Sequence, residues 1–447
     1  MTTRKLSRRR FIAQTALAST AAIAAPYVRG AHAAGKLSIG FWDHWVPGAN
    51  AASTKLCQEW AAKEKVDISI DYITSVGEKL QLTCAAEAQA KSGHDILAFL
   101  TWYPGDQAEN LEPVDDIMAD LIKDHGQVSK VVEYLGKVKN HWVAVPATCG
   151  SQVKGPCVRY DLFKEHVGWD PREMYPAGGE PKGAEKWTWD EFLRAAEACH
   201  KAGFPFGMPL GQTTDSVDWV GAVFAAYGAQ LIDAEGKITV KSDETKQVLE
   251  WFKKLVPLLP PDVFAWDDAG NNKWLIAGKG ALIMNPPSAW AVAKRDAPQV
   301  AEKCWTFDAP AGPKGRFTPG QPYYWGLWNF SENKSAGKSL LRYLSQRSSV
   351  EQLVAASGGY DLPAFEKLLD FKTWETEGPP PGTIYNYPPK HGQIVSISCA
   401  PAPAKIANQA YTQATMTKMI AQCTQSGKTI DQTLDWASNE LEGFMRT

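Results

Sequence analysis

Between Lys36 and Leu100 the hydrophobic period of the chain switches repeatedly between that of a strand and that of a helix. Lys36 to Phe41 alternates apolar and polar residues, as a half-buried strand does. Ala51 to Lys63 instead places Leu56 and Trp60 four apart, on one face of a helix. Val66 to Ile73 alternates strictly, Glu78 to Lys91 returns to the helical period with Gly93 at its stop, and Asp95 to Leu100 is a short apolar strand. Strand, helix, strand, helix and strand at this spacing predict a parallel sheet covered by helices. Ligands of such sheets bind beyond the carboxyl ends of the strands. Trp42, Asp43, His44 and Trp45 follow the first strand, and Thr101, Trp102 and Tyr103 follow the third.

What precedes this pattern reads as an address. Arg4, Lys5 and Arg8 to Arg10 form a basic head, Ala13 to Ala25 a mildly apolar middle, and Ala31-His32-Ala33 a small-residue cleavage site. The middle is interrupted by Gln14, Thr15, Ser19 and Thr20, too polar for an ordinary secretory signal, and Ser7-Arg8-Arg9-Arg10-Phe11 is similar to a twin-arginine export signal. The expected location is therefore the periplasm. Residues 1–33 hold six basic residues and no acid, so of 47 basic and 49 acidic residues the mature part keeps 41 and 49, a net charge of −8. Such a chain has no electrostatic footprint for nucleic acid or anionic lipid. No later stretch reaches the ~18 consecutive apolar residues of a membrane span.

Motifs of chemistry are missing where they would be needed. None of the eight Cys shows C-x-x-C spacing, so neither a thioredoxin-like site nor a zinc knuckle is indicated, and one or two disulfides at most are expected. There is no H-E-x-x-H and no G-x-S-x-G. Gly337-Lys338-Ser339 lacks the earlier glycine of a phosphate loop and reads as a helix surface. Asp115-Asp116 and Asp267-Asp268 read as turns or solvated caps, since a glycosidase needs carboxylates that face each other across a substrate. The expectation is a protein with no catalytic residue, metal or cofactor, not an enzyme.

Further along, short strands are predicted at Trp142–Pro146 and Val153–Tyr160, and Thr188 with Glu191 predicts a capping box. Thr245–Leu255 is helical, and Trp274–Met284 runs from a helix end into a strand. Pro310–Pro322 and Gly378–Pro389 read as loops, and Ala402–Gln425 and Thr429–Met445 as the last helices.

In this order the segments resemble one family, the extracellular solute-binding proteins of ABC importers, family 1, typified by maltose-binding protein. The resemblance is carried by Glu78-Lys79-Leu80-Gln81 with Gly93-His94-Asp95-Ile96, by Leu111 to Asp116, by Val145-Pro146 with Val158 to Phe163, by Trp187 to Phe192, by Gly278 to Ile283 running on to Trp290, by Asn333 to Leu344 and by Gly358 to Pro363. It implies an α/β fold of two lobes, each a mixed, mainly parallel sheet flanked by helices, with a hinge crossed more than once and ligand in the cleft. Residues 34–146 and 309–345 would form the N-terminal lobe, and 147–308 and 346–447 the C-terminal lobe. It implies a monomer whose partners are a small-molecule solute and the membrane subunits of a permease.

The eighteen Trp residues bear on the ligand. A sugar ring offers apolar C–H faces and a hydroxyl rim, and indole provides a rigid platform for the former. By resemblance, Trp102 and Trp290 would be such platforms. Trp42, Asp43 and His44 would contact the ligand after the first strand, as would Asp218 and Trp219, Trp325, and Gly359 and Tyr360 of the Gly358–Asp361 turn. Trp60, Trp251 and Trp436 fit core packing. The family's acid after Val145-Pro146 is missing, with Ser151 or Gln152 as possible replacements. The alternative ligand is a non-sugar polar or cationic solute such as a betaine, polyol or phosphodiester, since aromatic cages also hold quaternary ammonium.

Overall fold

The computed structural model describes residues 35–150, 153–380, 382 and 394–446. The export segment, Ser151, Gln152 and most of the loop expected at Gly378–Pro389 lie outside them. The principal elements begin with β1 (Lys36–Trp42), α1 (Pro47–Glu64), β2 (Asp67–Ile73), α2 (Lys79–Ala90), β3 (Ile96–Leu100), α3 (Asp115–His125) and β4 (Val145–Pro146). Next come β5 (Cys157–Arg159), α4 (Trp189–Lys201), α5 (Thr214–Tyr227), α6 (Asp243–Leu255), α7 (Gly270–Ile276), β6 (Leu282–Ile283), α8 (Pro286–Asp296) and β7 (Cys304–Thr306). The hairpin β8 (Ala311–Gly312) and β9 (Gly315–Pro319) leads to β10 (Tyr323–Leu327), α9 (Lys334–Leu344) and α10 (Arg347–Ala356). The chain closes with β11 (Ile394–Ser396), α11 (Ala404–Thr412), α12 (Thr415–Thr424) and α13 (Ile430–Phe444).

The first lobe is built on a five-stranded sheet ordered β2-β1-β3-β10-β4. β1 runs parallel to β2 and β3, with Trp42 opposite Ile73 and Ile39 opposite Ile96, whereas β10 is antiparallel to β3 and β4. The alternation legible in β1 is overridden on folding, because helices cover both faces and residues 37–42 are all buried. In the second lobe β5 pairs antiparallel with β6 and β7, and β9 pairs antiparallel with β8 and parallel with β11. The chain thus passes between the lobes after β4, before β10 and before β11. Residues 347–356 pack on α1, and Phe365 bridges to Val128. Both stay beside the first sheet.

Several local expectations are revised. Pro310–Pro322 is a hairpin rather than a loop, and it packs on α5 so closely that a Cβ on Gly312 would stand 2.6 Å from the carbonyl oxygen of Ala226. The helix expected from Ala402 to Gln425 is two helices, because Ala414 adopts a left-handed backbone (φ 52°) between them. The Thr188 cap is present, its Oγ1 accepting from Glu191 N at 3.2 Å, but the Glu191 carboxylate turns to Trp169 and Arg194 instead of closing the box. All eight cysteines are free thiols, seven of them buried.

Asp95 ties the first lobe together. Its carboxylate accepts from Ser38 N at 2.8 Å, Ser331 Oγ at 2.6 Å and Asn333 Nδ2 at 3.3 Å, linking β1, the start of β3 and the approach to α9. Asp95→Ala strips three buried donors of a charged acceptor and is expected to lower the unfolding free energy by about 3 kcal/mol. A shift of the urea midpoint at constant slope checks it.

Candidate functional site

A narrow cavity lies between the lobes. The first lobe lines it with Trp42 and Trp45 after β1, Leu100 at the end of β3, Gln81 of α2, Gln321 and Tyr323 at the start of β10, and Tyr360. The second lobe supplies Lys154 from the crossing, Thr214 and Asp215 from the first turn of α5, Asp268 ahead of α7, and Asn285 ahead of α8. Strand ends thus face helix beginnings.

The aromatic wall is held in place from behind. Trp42 packs with ring centroids 4.8 Å from His44, 5.1 Å from Tyr323 and 6.2 Å from Tyr360. His44 Nδ1 accepts from Val46 N at 2.8 Å, so Nε2 carries the proton and donates to Asp361 Oδ1 at 2.9 Å. The same carboxylate oxygen accepts from Gly150 N at 2.7 Å, which ties this wall to the crossing that leads into the second lobe.

The opposite wall is polar. Thr213 caps α5, so Asp215 and Asp218 fall in its first two turns, one helical step apart. Lys154, 2% exposed, places its ammonium 2.7 Å from Asp215 and 2.9 Å from Asp218. Asp215 also accepts from Asn285 at 2.7 Å and Asn271 at 3.0 Å, and Asp218 from the Tyr411 hydroxyl at 2.9 Å. Asp268 accepts from Thr214 Oγ1 at 3.4 Å. Burial pulls Lys154 toward its neutral form, but Asp215 and Asp218 outweigh it and hold its pKa above the ordinary lysine value. Burial pushes Asp218 up to about 6 against the pull of Lys154. Burial, then the charge of Asp215, pushes Asp268 up to about 7. Trp42 Nε1 and Asn285 Oδ1, both buried, have no hydrogen-bond partner within the protein.

The residues singled out from sequence scatter around this cavity. Trp42 and Tyr360 line it. His44 and Trp325 line a second small space behind Trp42. Asp43 is exposed and accepts from Asn50 at 2.7 Å. Asp218 lies beneath the polar wall. Trp219 donates to Pro209 O at 2.7 Å and packs on Phe252 in the core of the second lobe. Trp102 donates to Ser398 O at 2.9 Å, and Trp290 donates to Glu377 O at 2.7 Å and lines a second groove, between α8 and the end of α10, that shares Tyr360 with the cavity. The Gly359 carbonyl accepts from Trp374 Nε1 at 3.0 Å. Sequence reasoning passed over Lys154, Asp215, Asp268, Asn285, Gln321 and Tyr323. One signal was available: Asp215 and Asp218, three apart, interrupt an otherwise apolar helix.

Among the described residues, no group of three or more His, Cys, Asp or Glu is arranged to hold a metal ion, and no helix is long and apolar enough to cross a membrane. The cavity groups donate, accept and stack. Two lobes that enclose such a cavity define a protein that captures a small solute. The chain belongs to the bacterial extracellular solute-binding proteins, whose family model matches residues 55–378. A probable ABC transporter-binding protein of Deinococcus radiodurans is 28% identical over 142 residues, 30% of this chain and 32% of that one. A probable amino-acid ABC transporter periplasmic-binding protein of Sinorhizobium fredii is 25% identical over 310 residues, 66% of each. The chain therefore spans less than two thirds of both relatives. Among solved structures, maltose-bound MalE3 of T. maritima superposes with a TM-score of 0.70 at 16% identity, over 91% of this chain and 99% of that one. A Thermotoga lettingae ABC transporter solute-binding protein bound with α-D-tagatose gives 0.71 at 16%, over 92% and 100%. At such identities these structures show the two-lobe fold.

Proposed function

We propose that this chain is the periplasmic solute-binding component of an ABC importer, exported through its twin-arginine signal, and that it captures a carbohydrate between its lobes and hands it intact to the permease. The observation that carries the ligand class is the pairing of the Trp42, Tyr323 and Tyr360 rings with a facing wall of Asp, Asn, Lys and Thr side chains. Rings match the C–H faces of a sugar, and the polar wall replaces the water lost by its hydroxyls. The maltose- and tagatose-bound structures of the same fold support this reading, as does a sugar transporter of Arthrobacter chlorophenolicus with bound laminaribiose (TM-score 0.70, 16% identity, 92% of this chain and 99% of that one). The amino-acid name of the Sinorhizobium relative fits less well. Among the described residues no arginine and one lysine line the cavity, and that lysine is already shared by two carboxylates, which leaves an α-carboxylate without a counter-charge. Capture is a population shift from an open to a closed arrangement, and the permease reads the closed shape.

Thermal-shift screening of the mature protein against sugars, polyols, betaines and amino acids tests this. A ligand at 100 times its dissociation constant adds ~2.7 kcal/mol of stability, enough for a clear rise in melting temperature. The expected result is a rise with at least one sugar. Rises with betaines or amino acids and none with sugars would overturn the carbohydrate reading.

A further inference from the structure

We propose that the captured solute is a polyhydroxylated amine, an amino sugar in its protonated form, with Asp268 as the counter-ion of its ammonium group. This rests on the carbohydrate reading and adds a charge to it.

The first support is a charge balance. Asp215 and Asp268 line the cavity and Asp218 lies directly beneath, against one cation, Lys154. That ammonium is already shared between Asp215 and Asp218 at 2.7 and 2.9 Å. Asp215 is further satisfied by Asn271 and Asn285. Asp268 has the long Thr214 contact and the backbone N–H of Asp215, and no lysine, arginine or histidine among the described residues is paired with it. Closing the lobes on a neutral sugar would strip water from this carboxylate and add no charge to the pull that Lys154 already exerts on it.

The second support is independent of charge. Of the cavity side-chain atoms that are shut off from solvent and lack a protein partner, two are acceptors and one is a donor. Asn285 Nδ2 donates to Asp215, which fixes the amide so that Oδ1 is the free acceptor, on a residue only 4% exposed. Gln81 Oε1 is a second. The buried donor is Trp42 Nε1, on a residue 3% exposed, suited to a hydroxyl oxygen. An ammonium brings three donors and no acceptor, which matches the Asp268 carboxylate with Asn285 Oδ1. The faces of Trp42, Trp45, Tyr323 and Tyr360 favour a cation beside them as well as C–H groups.

The test is titration calorimetry on the mature chain with matched probes: glucosamine and galactosamine, their N-acetyl derivatives, and glucose and galactose, with choline and putrescine as amines that are not sugars. The expected result is an aminated sugar bound at least about tenfold tighter than both its N-acetyl and its parent form. In Asp268→Asn that ratio falls toward one, and in Asp268→Glu, which keeps the charge, it is largely retained. Equal or tighter binding of the neutral sugars, no binding of any aminated probe, or an amine preference untouched in Asp268→Asn overturns the inference. Neutral sugars binding on their own would leave the carbohydrate reading standing. Choline or putrescine bound with no sugar bound, and lost in Asp268→Asn, would uphold the ammonium site and overturn the sugar.

Discussion

Replacing Lys154 with methionine is expected to cost about 3–5 kcal/mol of unfolding free energy at pH 8, because it leaves buried carboxylates without their counter-charge. Methionine fills a similar volume, so the loss reports charge more than packing. Asp215 keeps its two Asn donors and Asp218 its Tyr411 donor, but these neutral bonds do not cancel two adjacent negative charges 8% and 1% exposed. The pH dependence separates this account from simple loss of contacts. Asp218 and Asp268 already have folded-state pKa values of about 6 and 7, above the 3.8 of an unperturbed carboxyl. The folded state therefore binds more protons than the unfolded chain between those values, and the contribution of the pair to stability falls as pH rises through them. Without Lys154 these values climb further. The deficit of the variant should then be largest at pH 8 and shrink toward pH 5, where the carboxyls take protons in place of the lysine. Urea denaturation at the two pH values checks it, with a difference of at least ~1.5 kcal/mol between the deficits expected. A deficit that is the same at both would mean that Lys154 acts through packing alone. Adding Asp215→Asn to the variant should restore part of the loss, since partners in one network are not additive.

The order of strands and helices in the first lobe was legible because β2 keeps its alternation at a half-exposed position and because β1 and β3 are long enough for an apolar run to register between helical segments. The second lobe was less so. Apart from β9 its strands are two or three residues long, too short for any period to register, and α5 is buried on almost every side. The cavity was legible only in its first-lobe half. Trp42 could be placed because it ends a recognisable strand, and Tyr360 because it sits in a turn matched by resemblance. Trp102 ends a strand equally well, yet its indole bonds to Ser398 from the second lobe, a contact 296 residues away that no local pattern announces. Trp290 likewise serves Glu377. The large aromatics drew attention by residue type, but many of them build the two cores. The charged wall was passed over for the opposite reason. Asp268 sits in a segment that reads as a solvated turn and Lys154 in one that reads as a strand, and their meaning comes from folding them onto α5. Asp218 was singled out only by resemblance and Asp215 not at all, although two acids three apart in an apolar helix need a buried partner. That partner proves to be Lys154.

Trp42→Ala should weaken binding of whichever solute the screen finds by at least about tenfold, because it removes the largest face of the aromatic wall and its free indole donor together. It should also cost about 3–5 kcal/mol of stability, since Trp42 is packed against His44, Tyr323 and Tyr360 and is 3% exposed. Two companion variants separate these effects. Trp42→Phe keeps most of the ring face and loses Nε1, which has no protein partner, so little stability should be lost while affinity still drops by about threefold or more. Trp102→Ala makes a comparable hole at the end of a neighbouring strand but removes no group that lines the cavity, so its stability should fall while binding, measured well below the melting transition, falls less than in Trp42→Ala. Calorimetric titration paired with urea denaturation gives both quantities for all three. The reverse ranking, with affinity lost in Trp102→Ala and kept in Trp42→Ala, would place the ligand at the end of β3 and against Ser398, and the charged wall around Lys154 would then be a device for joining the lobes rather than for recognising what they enclose.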